Sequence, residues 1–491
     1  MKRFFAFVLA AAFLVAPLCF DSCEKKENVH IDNELNEKYG INIDTSHMNA
    51  YEIRQLIPDE LPEVKYGGES YRILTSDSRI DELAVDTITG DSCNDEIFNR
   101  NLRIENRFDI KLEIFEDMKP EEKIHATVAA GTHDYQLVGL YNHLSYVPIT
   151  VKSVLNWCDI DAVDLDKPWH NKEANNGATF NGKLYTICSD TSLTSMTYTF
   201  GIFFNIDLAL TYGYQKRELY DLVNSGKWTF DKFCEITEQM YYDTNGDGFR
   251  SPSDIYGFGY YMSNPCDVWL TAFGQKIASK SDDGQLEISF MREKTVSIVD
   301  KLVDYHKNSI GYRRLNEKYQ EEEEFMSGKI CFAPLRFCAA YGVLRHMENT
   351  YSILPFPKWD ETQSRYYTNA DDKFTVFAVP SSEYYDIDRI GTVYEALCAE
   401  SYKKVYPVYY DGALKGRYSS DSTTAKMVDL IMDGRAFDFA FQFGDSCFMR
   451  LPYMVRDLMK EESKGVAAKY RSVQFAIENQ INEIFKPIYF S

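Results

Sequence analysis

Twelve residues from Asp243 to Asp254, DTNGDGFRSPSD, carry side-chain oxygens at alternating positions around a glycine. Asp243, Asn245 and Asp247 match the first, third and fifth ligands of a calcium loop. Gly248 supplies the sharp turn, Phe249 a carbonyl, Ser251 a water-mediated contact, and Asp254 the closing carboxylate. The usual closing residue is the longer, bidentate Glu, so Asp254 requires a tighter loop. Sensors pair two such loops and docking modules repeat theirs, whereas this chain has one. The expectation is a single structural Ca2+ that ties the helix before the loop to the strand after it, without touching a solute. The competing reading is a metal-free turn rich in Asp, Asn and Gly.

Catalytic patterns are missing. The eight histidines form no HExxH, and there is neither a GxSxG elbow nor a phosphate-binding glycine loop. The segment SLTSMTYTFG nominates no nucleophile. A glycosidase carboxylate pair is defined by its separation across a cleft, which no spacing along the chain provides. The reading is therefore of a binding protein rather than an enzyme. A formal charge of -22 excludes a phosphate-backbone partner, so nucleic acid is set aside. The 35 Tyr and 32 Phe suit the faces of sugar rings, although most must fill cores.

At 491 residues the chain exceeds what one core usually serves, and two lobes are expected. From Gly67 the pattern runs strand (SYRILTS), helix (NDEIFNRNLRIENRF), strand (IKLEIFE), helix (EEKIHATVAAG), strand (YQLVGLY). That order implies an α/β fold with a mostly parallel sheet, whose ligands gather at the carboxyl ends of its strands. FNGKLYTICSD, TFGIFFNIDLAL, IYGFGYYM, GKICFAPLRF, YSILPFPKW and KFTVFAVPSS read as further strands, a helix begins near KWTFDKFCEITEQMYY, and residues 386–491 read as mainly helical.

The first residues have the pattern of an export signal, with two cations and then an apolar run from Phe4 to about Phe20. Residues 1–22 are assigned to it and residues 23–66 to a polar tether. Cys19 and Cys23 close the run in a way that resembles a bacterial lipoprotein signal. Cys23 is preferred for lipidation because EKKENVH follows it, and lipidation would hold the protein at a membrane surface. The other nine cysteines, Cys93 to Cys447, lack CxxC pairs and zinc spacing, and read as small buried thiols.

The motifs DKPWHN, FNGKLYTICSD, FFNIDL, SGKWTFDKF, FMSGKICFAP and ILPFPKWD occur in an order and spacing that resemble the bacterial extracellular solute-binding proteins of family 1, the sugar-binding components of ABC importers. The resemblance runs from about Gly67 to the end. It implies a two-lobed periplasmic-binding-protein-like α/β fold of type II, with a ligand cleft between the lobes and a chain that crosses the hinge more than once. On that template the first lobe takes residues 67–188 and 367–409, and the second 189–366 and 410–491. The implied partners are a carbohydrate, ABC permease subunits and a membrane reached through the lipid anchor. The implied state is a monomer on the extracellular or periplasmic face of the cell membrane.

Sugar recognition needs aromatic faces for C–H surfaces and Asp, Asn or Arg for hydroxyls. Tyr141 and Asn142 end YQLVGLY, where the alternative is a surface turn. Asp190 ends LYTICSD at the crossover, where the alternative is a cap. Trp269 lies where similar proteins place a helix facing the cleft, against an ordinary core role. Arg336 follows CFAPL and could clamp hydroxyls or a carboxylate, against a surface ion pair. Asp371 and Asp372 return the chain to the first lobe, against idle loop carboxylates. Trp169 is read as a packed lid and Trp228 as helix-start packing. Rival functions are a surface glycan-binding lipoprotein of helical repeats, which the opening strands disfavour, and a ligand-presenting sensor partner.

Overall fold

Strand β1 (Glu69–Ser76) opens with alternating burial at Tyr71 and Ile73 and is buried on both faces from Ile73 to Ser76. The computed structural model describes residues 35–415 and 422–490, apart from 42, 44 and 46. The export signal, Cys19, Cys23 and the start of the tether lie outside the described residues. The chain divides into two compact units, residues 1–58 and 59–491. In the first, helix Ala50–Leu56 opens on a reciprocal capping box between Asn49 and Glu52.

In the second unit, Asp91 caps helix Ser92–Phe108 by accepting from the Cys93 and Asn94 N–H groups. Its buried positions, Cys93, Ile97, Arg100, Ile104 and Phe108, recur at helical spacing. Asp109 turns the chain in the left-handed region (φ 47°) into β2 (Ile110–Asp117), parallel to β1 along its whole length. Helix Pro120–Ala129, with proline in its first turn, leads to β3 (Leu137–Tyr141), also parallel to β1. The expected strand–helix–strand–helix–strand order is thus the observed one.

The next expected strand is not formed. FNGKLYTICSD makes a tight turn at Asn181 and Gly182, both at positive φ, and touches the sheet through one bridge, Ile187 to Phe377. A second sheet follows, from β4 (Phe200–Asn205) and β5 (Tyr256–Tyr261), past the hairpin β6 (Ala278–Lys280) and β7 (Leu286–Ile288), to β8 (Tyr312–Leu315), β9 (Ile330–Arg336) and β10 (Tyr351–Leu354). Its order is β10-β4-β9-β5-β8. β5 runs parallel to β8 and β9, while β4 runs antiparallel to β9 and β10. Thr229 caps helix Phe230–Glu238 beside this sheet. Gly257 and Gly311 close around the end of that helix so tightly that a Cβ would fall 2.2 Å and 2.0 Å from the Thr237 carbonyl oxygen.

The chain then returns to the first sheet as β11 (Thr375–Ala378), antiparallel to β3, completing the order β11-β3-β1-β2. The outward and returning segments pair at Thr199 and Ala370, so the crossing is a two-stranded ribbon. Helix Ile387–Glu400 packs on the first sheet's helix, with Arg103 Nε 2.6 Å from Glu400. The chain crosses again to helix Ser422–Asp433, where Thr424 meets Tyr220 beside β10. Residues beyond 386 are mainly helical, as expected. The nine cysteines from Cys93 to Cys447 are free and six are buried. No helix among the described residues is long and apolar enough to cross a membrane.

Candidate functional site

The carboxyl ends of the parallel strands in both sheets meet at the crossing ribbon. From the first sheet, β1 ends at Ser76, whose Oγ donates to the Tyr141 hydroxyl at the end of β3 (2.8 Å). The turn after β1 delivers Arg79, which is 5% exposed. Its guanidinium lies 4.8 Å from the Tyr141 ring centroid and 4.7 Å from that of Tyr198 on the ribbon. Its Nη2 donates to the Lys373 carbonyl (2.9 Å). Glu82, one turn on, accepts from the Thr194 N–H (3.0 Å) and the Thr375 hydroxyl (2.7 Å), fastening this turn to both strands of the crossing. Burial pushes the Glu82 carboxyl above its ordinary range, against the pull of Arg79.

From the second sheet, β9 ends at Arg336. Its guanidinium is 4.4 Å from the Tyr198 ring and 5.5 Å from that of Tyr319. Tyr141, Arg79, Tyr198, Arg336 and Tyr319 thus form an alternating series of aromatic and cationic groups from one lobe to the other. Tyr319 sits in the left-handed region (φ 68°), which is costly for an aromatic residue. Arg336 also faces Asp371 (3.6 Å), and Asn264 Nδ2 donates to the same Asp371 oxygen (2.8 Å). Arg456 donates to Asn264 (3.2 Å) and pairs with Asp267 (3.4 Å). Burial drives the Asp267 carboxyl well above its usual range, Arg456 notwithstanding. The Tyr453 hydroxyl donates to Asp372 (2.7 Å).

Two cavities flank this cluster. One is lined by Arg336, Asp371, Asn264, Lys318, Tyr319 and Glu322 among others, the second by Asn142, Asn369, Asp372, Phe374, Phe437 and Gln442 among others. The structure therefore brings Tyr141, Asn142, Arg336, Asp371 and Asp372 together. Asp190 lines neither cavity; it is half-buried, and its N–H donates to the Trp169 carbonyl (2.9 Å). Trp269 is placed in the core, 0% exposed, with Nε1 donating to Tyr260 and its ring packed on Phe230, Phe273 and Phe356. Its apolar helix faces the second sheet's interior, so the stacking expectation gives way to the core one. Trp169 and Trp228 are also fully buried, bonded to Glu395 and to the Pro355 carbonyl.

Arg79, Tyr198, Asn264, Tyr319, Tyr453 and Arg456 were not legible as site residues. Arg79 and Asn264 follow strands by a few residues, which is the one signal that could have nominated them.

In the loop Asp243–Asp254, the neck is closed by paired backbone bonds between Tyr242 and Ile255 (2.9 and 3.0 Å). Asp243 accepts from the Gly246 and Gly248 N–H groups (2.8 and 2.7 Å), and Asp247 from Phe249 (2.7 Å) and Asn245 Nδ2 (2.8 Å). Asp254 is buried and accepts from Ser251 N–H (2.7 Å) and Thr244 N–H (3.2 Å). The Ser251 hydroxyl bonds to Ser253 (2.6 Å). The oxygen donor set suits calcium, but its oxygens are committed to the loop's own donors. Among the described residues no group of three or more His, Cys, Asp or Glu is gathered closely enough to hold an ion.

No family model matches the chain, and no curated protein sequence does. Solved structures do. A cyclo/maltodextrin-binding protein complexed with maltotetraose is 13% identical with a TM-score of 0.57, over 86% of this chain and 99% of that one. The maltose/maltodextrin-binding domain MalE of Bdellovibrio bacteriovorus, bound to maltotriose, is 13% identical with a TM-score of 0.53, over 84% and 100%. UgpB from Mycobacterium tuberculosis, in complex with glycerophosphocholine, is 13% identical with a TM-score of 0.53, over 85% and 99%. The chain has the two-lobed periplasmic-binding-protein-like fold.

Proposed function

We propose that this chain is an extracellular substrate-binding protein that captures a carbohydrate, an oligosaccharide, and delivers it unchanged to the permease of an ABC importer. One observation carries the reading: groups from the carboxyl ends of both sheets, among them Tyr141, Tyr319, Arg336 and Asp371, converge on a cleft crossed by paired hinge strands. Aromatic faces beside carboxylates, amides and guanidinia are the chemistry that sugar hydroxyls and C–H faces require. Two similar structures hold maltodextrins, in keeping with this reading, and a third holds glycerophosphocholine, so the fold also serves solutes other than sugars. Attachment through lipidated Cys23 and a monomeric state complete the proposal.

Isothermal titration of the full chain with a panel of oligosaccharides is expected to show one-to-one binding, with the sugar recovered intact. Turnover of a bound glycan that disappears on mutating a carboxylate pair, or no binding across the panel, sinks the reading.

We further infer that the loop takes Ca2+ through Asp243, Asn245, Asp247, the Phe249 carbonyl, Ser251 through water, and Asp254. Because an ion must draw Asp243 and Asp247 off loop amides, the site is weak, of the order of 0.1 to 1 mM as in extracellular modules. Calcium titration is expected to raise the melting temperature of the wild type and not that of an Asp243→Ala, Asp247→Ala double variant. Equal responses in the two proteins would make the loop a metal-free turn.

A further inference from the structure

The turn in FNGKLYTICSD is gripped by the opposite lobe from two sides. Asn181 and Gly182, at φ 49° and 70°, form a two-residue loop closed by reciprocal backbone bonds between Phe180 and Lys183 (3.1 and 2.9 Å). Its base belongs to the first lobe: the Leu184 carbonyl accepts from the Trp157 N–H (2.8 Å), and Ile187 bridges to Phe377 in β11. Its tip projects Phe180, 2% exposed, among the rings of Phe439, Phe485 and Tyr489, with centroids 4.9, 5.0 and 5.6 Å away.

Those three rings belong to the C-terminal part of the second lobe. Helix Val466–Gln480 packs Tyr470 on Phe290 (5.8 Å), and Lys464 pairs with Asp304 (2.7 Å) of helix Glu293–Asn308. Beyond Gln480 the helix widens into a π-helical turn, Ile481–Phe485, and a last turn, Lys486–Tyr489, reaches the first lobe. There its carbonyls take three donors from the first-lobe turn. Lys183 Nζ and the Tyr185 hydroxyl donate to Ile488 (3.1 Å each), and Asn181 Nδ2 donates to Tyr489 (3.1 Å). Carbonyls in a last helical turn find no donor within the helix, so the first lobe completes them.

The second grip comes from the hairpin β6–β7. Lys280 lies 4.8 Å from the Phe180 ring, and its Nζ donates to the Asn176 carbonyl (2.8 Å) and the Thr179 carbonyl at the end of helix Lys172–Ala178.

Hinge strands stay joined when two lobes separate, whereas every other bond between the lobes has to break. Each such bond therefore biases the balance toward the arrangement in which it is made. We propose that residues 180–185, the C-terminal segment 481–489 and Lys280 form a clasp that holds the lobes together and sets their open–closed balance independently of the groups on the ribbon. The inference goes beyond the capture reading, and its test needs no solute.

Two variants of the full chain decide it. Lys183→Met combined with Tyr185→Phe removes two donors while keeping both apolar bodies; Phe180→Ala withdraws the central ring. A hydrogen bond of this kind shifts an equilibrium by about two- to tenfold, so the double variant is expected to move the balance about tenfold or more. Small-angle scattering should then show a larger radius of gyration than wild type. Hydrogen exchange should quicken about tenfold in residues 481–489 and stay unchanged in helix Phe230–Glu238, inside the second lobe. Scattering equal to wild type in every variant that folds, whatever happens to the melting temperature, overturns the inference and makes these contacts packing only, with the capture reading unaffected.

Discussion

Trp269→Ala is expected to destabilise the protein by about 3 to 5 kcal/mol, the cost of truncating a core tryptophan. The ring is 0% exposed and packed edge-on against Phe230 and Phe356 at 5.3 and 5.0 Å. Its loss opens a cavity in the centre of the second lobe's aromatic cluster and leaves the Tyr260 hydroxyl without its indole donor. The fraction that stays folded should bind solute with wild-type affinity, because no atom of Trp269 reaches the cleft. Thermal unfolding read beside a titration at low temperature checks both halves. A variant with unchanged melting and weakened binding would return Trp269 to the ligand site.

The second large effect belongs to Asp371. It is 4% exposed on the crossing ribbon, where its N–H donates to the Tyr198 carbonyl (3.0 Å), and it holds both Arg336 (3.6 Å) and Asn264 (2.8 Å) from the strand ends of the second sheet. Breaking a fully buried ion pair by removing one partner costs about 3 to 5 kcal/mol, and the partial exposure of Arg336 and its two aromatic neighbours reduce that figure here. Even about 2 kcal/mol taken from the closed arrangement alone shifts an open–closed balance by roughly thirtyfold. Asp371→Ala is therefore expected to expand the solute-free protein in small-angle scattering and to lower its melting temperature. Asp371→Asn, which can still accept from Asn264, should fall between. Scattering and melting indistinguishable from wild type would show that Asp371 does not latch the cleft.

Short apolar runs in SYRILTS, IKLEIFE and YQLVGLY, with helical spacing between, made the first sheet legible, because parallel strands covered by helices are buried on both faces, as β3 and the second half of β1 are. FNGKLYTICSD has the same apolar content, yet Asn181 and Gly182 bend it before a ladder can form, and apolar content alone does not separate a strand from a packed turn. The site was legible where it coincided with a strand end, at Tyr141, Asn142 and Arg336, and where the chain re-entered the first lobe, at Asp371 and Asp372. Tyr319, Tyr453 and Arg456 come from a short acidic helix and a C-terminal helix far along the chain, and reach the cleft only through tertiary packing. Trp269 misled for the complementary reason: a tryptophan in an apolar helix looks the same whether the helix faces a cleft or a core.

The series Tyr141, Arg79, Tyr198, Arg336 and Tyr319 has a consequence for the medium in which the protein works. Arg79 and Arg336 are largely buried and lie 4.4 to 5.5 Å from these ring centroids, and buried charges are screened by salt much less than exposed ones. Exposed ion pairs such as Lys119–Glu122 weaken as salt rises, while stacked contacts of this kind scarcely do. Because both the stacked cations and the Arg336–Asp371 pair beside them are largely buried, the arrangement at the ribbon is expected to hold from dilute to saline surroundings.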